Sequence, residues 1–304
     1  MNEIEIQVRP AARSDEARIA AFLKDAQRRY VGFGREDLLS LLESPAHACI
    51  LAESGPMLWG VMIVSARTRP TRADSPERTT WGYLRGLALV NGWRAEVGVP
   101  TLMEGMRIAL AARDVNLVIA YAAKPWMEIP LARSGFRVVE HIVNYERAYN
   151  ILSPLPRLRD VTLRYAQADD VAAISDVDKA AFSPLWQMAS GDLIEMLVTS
   201  EYFIVAEQGG RVVGYVCANV HRRTGQIYRL AVHPDVQGRG IGRLLLTDAL
   251  TYCRRAGAEH IVLNTQESNV IADRLYRRFG FRPMVPRVPV MVAEIDDIAD
   301  LEEA

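Results

Sequence analysis

Four short landmarks occur twice in this chain, in the same order, on either side of a proline-bearing break. The break is Asn150 to Asp160, NILSPLPRLRD, where Pro154 and Pro156 interrupt any helix or central strand. Before it, Gln7-Val8-Arg9-Pro10 leads through a polar turn into a helical stretch from Asp15; after it, Thr162-Leu163-Arg164-Tyr165 leads through Ala168-Asp169-Asp170 into another. Gly60 then matches Gly214, Leu87-Ala88-Leu89 matches Leu230-Ala231-Val232, and Ser134-Gly135-Phe136 matches Phe279-Gly280-Phe281. Any two α/β halves share one such match; a run of them reads as two copies of one fold.

The length agrees, since 304 residues is room for two domains of about 150. The division is 1–150, a linker at 151–160, and 161–304. Thirty-six Lys plus Arg against 37 Asp plus Glu give a formal charge of -1, and 50% of residues are hydrophobic. This excludes disordered and supercharged chains and gives no global reason to expect nucleic acid or an anionic membrane as partner. Cys49, Cys217 and Cys253 form no CxxC pair, so a reduced, cytoplasmic setting is the expectation. The opening MNEIEIQVRP has no basic start or apolar run of a signal peptide, and no stretch approaches a membrane span.

Residues 202–207, 211–220 and 225–232 are β-branched and aromatic runs, the first two joined across a Gln208-Gly209-Gly210 turn. A helix is predicted from Ile241 to Ala256, stopped at Gly257, then a strand at 260–264 and a helix from Val270 to Phe279 that Asn269 can cap. The expected class is α+β: in each half a mixed, mainly antiparallel twisted sheet flanked by helices.

The segment most informative about chemistry is VHPDVQGRGIGRLLL, Val232 to Leu246. Glycines 238, 240 and 242 leave backbone N–H groups unobstructed between a strand and the positive end of a helix, an arrangement that holds a pyrophosphate. Arg239 and Arg243 add charge at its rim. It is no dinucleotide fingerprint, because antiparallel strands precede it and the x-x-G spacing is wrong, and it lacks the Gly-Lys-Ser/Thr ending of an ATP-binding loop.

Gln237-x-x-Gly240-x-Gly242 resembles the acyl-CoA loop of the GNAT superfamily of N-acyltransferases. Asn269, Ala272, Leu275, Tyr276, Gly280 and Phe281 fall at the spacing of a second motif found in its ribosomal-protein acetyltransferase group. The resemblance implies acetyl-CoA as acyl donor and no metal. It implies that the amides from Gly238 through Arg239, Gly240 and Ile241 to Gly242 bind pyrophosphate, and that the strand edge at Leu230, Ala231 and Val232 pairs with the pantetheine amides. It further implies that the Leu230 N–H polarises the thioester carbonyl, that Asn269 lies near the pantetheine arm, and that Tyr276 protonates the departing sulfur. Leu275 and Phe281 read as core.

The pattern departs from the family at the general base. Gln226 and Asn264 stand where family members carry Glu, leaving Glu267, Tyr228, His233 or a water chain as candidates. The first half departs further. Arg94 stands for Gln237, Val97 and Val99 for Gly240 and Gly242, and Leu131 for Tyr276, with Lys124 near the place of Asn269 and Glu96 and Pro100 adding repulsion and a lost donor. It reads as a copy without a cofactor site that shapes the substrate pocket.

Trp81, Tyr83, Trp93, Trp126 and Trp186 can wall a pocket or fill cores, and core is the expectation; Arg67, Arg69, Arg72 and Arg78 read as solvated and the terminal IDDIADLEEA as a surface tail. The resulting expectation is direct acetyl transfer to a primary amine, of a small molecule on the strength of the tandem arrangement. A protein N-terminus or lysine acceptor is the alternative, as is a non-catalytic acyl-CoA-binding module. Oligomeric state is left open.

Overall fold

The computed structural model describes residues 5–70, 78–148 and 158–295. Arg72, the prolines of the 151–160 linker and the acidic tail lie outside the described residues, as do the side chains of Arg69 and Arg78. The class is α+β, in two compact units: residues 1–141 with 288–304, and residues 142–287.

The first unit contains β1 (Gln7–Pro10), α1 (Glu16–Asp25), β2 (Arg28–Val31), α2 (Leu38–Glu43), β3 (His47–Ser54), β4 (Met57–Pro70) and β5 (Arg78–Leu89). It continues through α3 (Ala95–Ala111), β6 (Val115–Tyr121), α4 (Glu128–Arg133) and the start of β7 (Arg137–Ala148). Its sheet runs β1-β3-β4-β5 antiparallel, then β6 parallel to β5. Helix α3 lays Leu102, Met103, Met106 and Leu110 on one face of it, and α1 and α2 bury Ile19, Leu23, Leu38 and Leu41 on the other. Trp93 is buried, edge-on to Trp59 at 5.7 Å, so it is core.

The second unit begins with the end of β7 and holds β8 (Thr162–Tyr165), α5 (Val171–Ala181), α6 (Ser190–Thr199), β9 (Tyr202–Gln208), β10 (Arg211–His221) and β11 (Thr224–Val232). It ends with α7 (Ile241–Arg255), β12 (His260–Gln266), α8 (Val270–Arg278) and β13 (Arg282–Pro283). Strands β8-β9-β10-β11 are antiparallel and β12 runs parallel to β11. The amphipathic α7 buries Ile241, Leu245, Leu246, Ala249 and Leu250 against one face, while α5 and α6 cover the other with Ile174, Val177 and Leu193.

The duplication is visible in chemistry as well as in strand order. Arg9 makes a two-bonded pair with Asp15 and also bonds Glu53 through two of its nitrogens, and Asp15 accepts the Ala12 N–H. In the second unit Arg164 makes the same pair with Asp170 and bonds Glu207 through one nitrogen, and Asp170 accepts the Gln167 N–H. Each triad ties the first strand of its sheet to the next and to the start of a helix.

The units do not follow the halves of the sequence. The last place beside β6 is taken by β14 (Val288–Glu294), from the end of the chain, with Val290 opposite Tyr121. The matching place beside β12 is taken by Ile142–Ala148 of β7, with Asn144 opposite Asn264. Each sheet is completed by a strand from the other half, so the compact units cut the chain at 141/142 and 287/288 rather than in the proline-bearing segment.

Candidate active site

Strands β11 and β12 pair only along Thr224–Ile227 and then separate. Where they part, the register of β11 against β10 skips Tyr228: Ala218 faces Ile227 and Cys217 faces Arg229. This bulge twists the strand. The gap opens into a cleft of about 960 Å³ within the second unit, walled by β11, the loop before α7, β12 and α8.

The phase of the ladder determines which groups face that cleft. His233 N donates to Val213 O at 2.8 Å, and Gly214 is opposite Val232. By the alternation of antiparallel pairing, Ala231 exchanges bonds with Tyr215, whereas Leu230 and Val232 turn their N–H and C=O groups away from β10. The Val232 carbonyl accordingly accepts from Gln237 Nε2 at 2.9 Å, which ties the loop to the end of the strand. Leu230, Ala231 and Val232 all line the cleft.

In the loop, Gly238 and Gly240 have φ of 76° and 89°, a conformation that a side chain disfavours. Gly240 is the N-cap of α7. Among the described residues, no acceptor takes the N–H groups from Gly238 to Arg243. Six donors are therefore left without an intramolecular acceptor in and just before the first turn of a fifteen-residue helix, its positive end. At Gly242 an added Cβ would lie 3.6 Å from Leu275 and 3.7 Å from Val232, so a branched side chain would crowd both.

Of the site residues read from the sequence, the cleft brings together Leu230, Ala231, Val232, Gln237, Gly238, Gly240, Ile241, Gly242, Arg243, Asn269 and Tyr276. Arg239 is not among its lining residues; its guanidinium donates to Asp235 O at 3.1 Å on the exposed side of the loop. Asn269 caps α8, its Oδ1 accepting the Ala272 N–H at 3.0 Å. Tyr276 is buried in the cleft wall, its ring 5.7 Å from Tyr145 and 6.0 Å from Phe281. Burial, with a smaller contribution from Tyr145, pushes its phenol up to about 12, so it holds its proton at neutral pH.

Two of the candidate bases lie elsewhere. Glu267 is paired with Arg287, and His233 Nδ1 accepts from Asp235 N at 3.4 Å; neither lines the cleft. Tyr228 and Asn264 do line it.

Sequence reading missed Arg229, Phe182 and Asp178. Arg229 turns back from the bulged strand to Asp178, which is fully buried, at 2.6 Å, donates to Trp186 O at 2.6 Å, and lies over the Phe182 ring at 3.9 Å. Asp178 also accepts from the Tyr215 hydroxyl and from Met188 N at 2.8 Å. One ion pair thus links α5, the loop after it, β10 and β11 beside the Leu230 amide. The long separation of Asp178 from Arg229 leaves no local pattern to find. Arg274 and Arg278 also line the cleft, and a signal for them existed: on α8 they are four apart and share a face.

The cleft thus combines a helix start whose amides have no intramolecular acceptor, a parallel strand pair that opens, and a buried phenol in its wall. The Acetyltransferase (GNAT) family model matches residues 171–281. The chain is 28% identical over 267 residues to the mycothiol acetyltransferase of Nocardia farcinica, covering 81% of this chain and 83% of that protein. It is 36% identical over 121 residues to an uncharacterized N-acetyltransferase of Methanocaldococcus jannaschii, covering 40% of this chain and 77% of that one. A tandem GNAT protein from the clavulanic acid biosynthesis pathway superposes with a TM-score of 0.66 at 14% identity, over 96% of this chain and 99% of its own. The chain belongs to the GNAT family of acetyltransferases, as a tandem member.

Among the described residues no helix is long and apolar enough to cross a membrane, and no group of three or more His, Cys, Asp or Glu could hold a metal ion. The three cysteines are free and buried, and burial pushes each thiol up to about 12.

Proposed function

We propose that the second unit binds acetyl-CoA in the cleft between β11 and β12 and transfers its acetyl group directly to a primary amine of a small molecule, while the first unit has a structural and substrate-shaping role. The observation that carries this reading is the free edge of β11 leading into six unused amides at the start of α7. The donor set suits the group. The amides from Gly238 to Gly242 and the Arg243 guanidinium answer a pyrophosphate, and the open space around Gly238 leaves room for close approach. The outward groups of Leu230 and Val232 offer an added strand's hydrogen bonds to the amides of a pantetheine arm, with Asn269 alongside.

The bulge at Tyr228 re-aims the strand just before Leu230, whose N–H faces the cleft where charge develops on a thioester oxygen. Tyr276 supplies a proton to the departing sulfur. Burial raises its phenol to about 12, so the proton stays in place until sulfur departs. The small-molecule acceptor is supported by the tandem arrangement and by the name of the Nocardia relative. A panel of small amines and short peptides, followed by thiol release with acetyl-CoA, tests the reading. Acetylation of one or more small amines is expected; tight acetyl-CoA binding with no release for any acceptor would favour a non-catalytic binding module.

A further inference from the structure

Transfer to an amine needs an unprotonated nitrogen, and the cleft has an unusual set of titratable groups for that task. Arg147 from β7, Arg229 from β11, Arg243 from α7, and Arg274 and Arg278 from α8 line it. Asp, Glu and His are absent from its described lining residues. Arginine has no lone pair to accept a proton, and the Asn264, Thr265 and Gln266 side chains of β12 do not titrate. The remaining groups are the phenols of Tyr228 and Tyr276, and a neutral phenol offers a proton rather than taking one.

Carboxylates on α5, on α8 and just after β12 are engaged with arginines. Asp178 is fully buried against Arg229 and Tyr215. Asp273 accepts from the Tyr145 hydroxyl and holds Arg277 at 2.7 Å, and Arg277 and Tyr145 keep it below its usual range. Glu267 is paired with Arg287. On the strands themselves, Gln226 of β11 is still paired opposite Val262 and does not line the cleft, and Asn264 of β12, which does line it, carries no charge.

We infer that this site accepts only amines that arrive already neutral, and therefore selects acceptors of low basicity, an α-amino group or a similarly weak amine, over lysine-like alkylamines. The inference rests on the acetyl-transfer reading above. The balance is simple. The nitrogen lone pair forms the C–N bond, the C–S bond breaks, Tyr276 gives its proton to sulfur, and the nitrogen loses a proton to solvent after attack; the phenol is then restored from solvent. At pH 7 an α-amine with pKa near 7.8 is about one-seventh neutral, whereas a lysine-type amine near 10.4 is neutral in about one molecule in 2,500. That is a preference of roughly 300-fold from ionisation alone.

The test is kcat/KM as a function of pH, from 6 to 10.5, for three acceptors of graded basicity: an amino acid amide, a glycyl peptide, and an Nα-acetyl-lysine amide. The α-amine profiles are expected to climb tenfold per pH unit up to each acceptor's own pKa and then stay level, while the lysine amide is still climbing at pH 10, with the α-amines favoured at least tenfold at pH 7. The phenol of Tyr276, raised to about 12, brings no falling limb within this range. A bell with the same acidic limb for every acceptor, falling above the acceptor's pKa, would reveal an enzyme-held base and overturn the inference while leaving acetyl transfer standing. Preference for the lysine amine at pH 7 would do so too. Absence of transfer to all three at every pH, with acetyl-CoA bound, would instead remove the acetyl-transfer reading and this inference with it.

Discussion

The two units share a strand order, an ion triad and a parallel strand pair that opens, yet they fill the opening differently. In the second unit β11 leaves the side of β12 after Ile227, and the N–H groups of Leu230 and Val232 face a cleft. In the first, β5 leaves β6 after Tyr83, and the same edge is taken by the unit's own strand β2, with Tyr30 opposite Leu87 and Arg28 opposite Leu89. The phases agree: Val90 N donates to Trp59 O at 2.7 Å as His233 N does to Val213 O, so Leu87 and Leu89 match Leu230 and Val232. The pairing is extended by Gly32 N to Arg85 O at 2.7 Å, with the Arg85 guanidinium returned to Gly32 O. Arg28 also donates to Trp93 O, and Asn91 Oδ1 accepts the Gln27 N–H. Four consecutive residues of chain thus lie along the edge that in the second unit borders the cleft. In the first unit this edge is an internal strand pair, and its backbone groups are satisfied by the chain itself.

The largest expected break in this comparison is Gly240→Asp. It places a side chain at φ 89° and a negative charge among the free amides, and acetyl-CoA affinity should fall at least about 100-fold by calorimetry. Val97→Asp, at the matching and exposed place in the first unit, should leave that affinity within twofold. Equal losses from both would mean that both loops bind.

Next is Asp178→Ala, which strips the buried partner from Arg229. Removing one member of such a pair typically costs about 3–5 kcal/mol, so chemical denaturation should show a loss of that order in the second unit. A loss below 1 kcal/mol would show the pair to be replaceable by water.

Tyr276→Phe should lower kcat about 100-fold while the acetyl-CoA dissociation constant changes less than threefold. A proportionate change in both would make the tyrosine a packing residue only.

Much of the second unit was legible in its sequence because its signals are local. The predicted strands at 202–207, 211–220 and 225–232 correspond to Tyr202–Gln208, Arg211–His221 and Thr224–Val232, and the helix expected from Ile241 ends at Arg255. Tyr276 and the glycine loop meet in one cleft as their motifs implied. What was not legible depends on partners distant in sequence. Nothing in Val288–Glu294 says that its partner is β6 rather than β12, since both are apolar strands that accept an antiparallel neighbour. Arg28–Val31, with arginines at two of four positions, carries no strand signature and is held by the edge it covers. Arg239 stands in the loop as its spacing implied, but its guanidinium bonds the Asp235 carbonyl, a detail that spacing does not reveal.

The smallest expected effects sharpen the repeat itself. Arg9→Ala and Arg164→Ala should each cost about 1–2 kcal/mol, discounted for partial exposure of both arginines, and by similar amounts if the triads are equivalent. Their pH dependence has a definite sign. The Arg9 guanidinium, with a smaller contribution from the Ala12 N–H, lowers Asp15 from 3.8 to about 2, and Arg164 lowers Asp170 in the same direction. A carboxylate more acidic when folded contributes fully above its unfolded pKa, so this stability is present above about pH 4 and is lost as pH falls toward 2. In the Arg→Ala variants, that acid-side loss should be reduced in the affected unit.

The central claim is that one unit has kept a donor site and the other has closed it with its own chain. Titration calorimetry of the 304-residue chain with acetyl-CoA tests it most directly. One binding event per chain is expected, abolished by Gly240→Asp and untouched by Val97→Asp. Two equivalent sites per chain, or binding that survives Gly240→Asp, would contradict it.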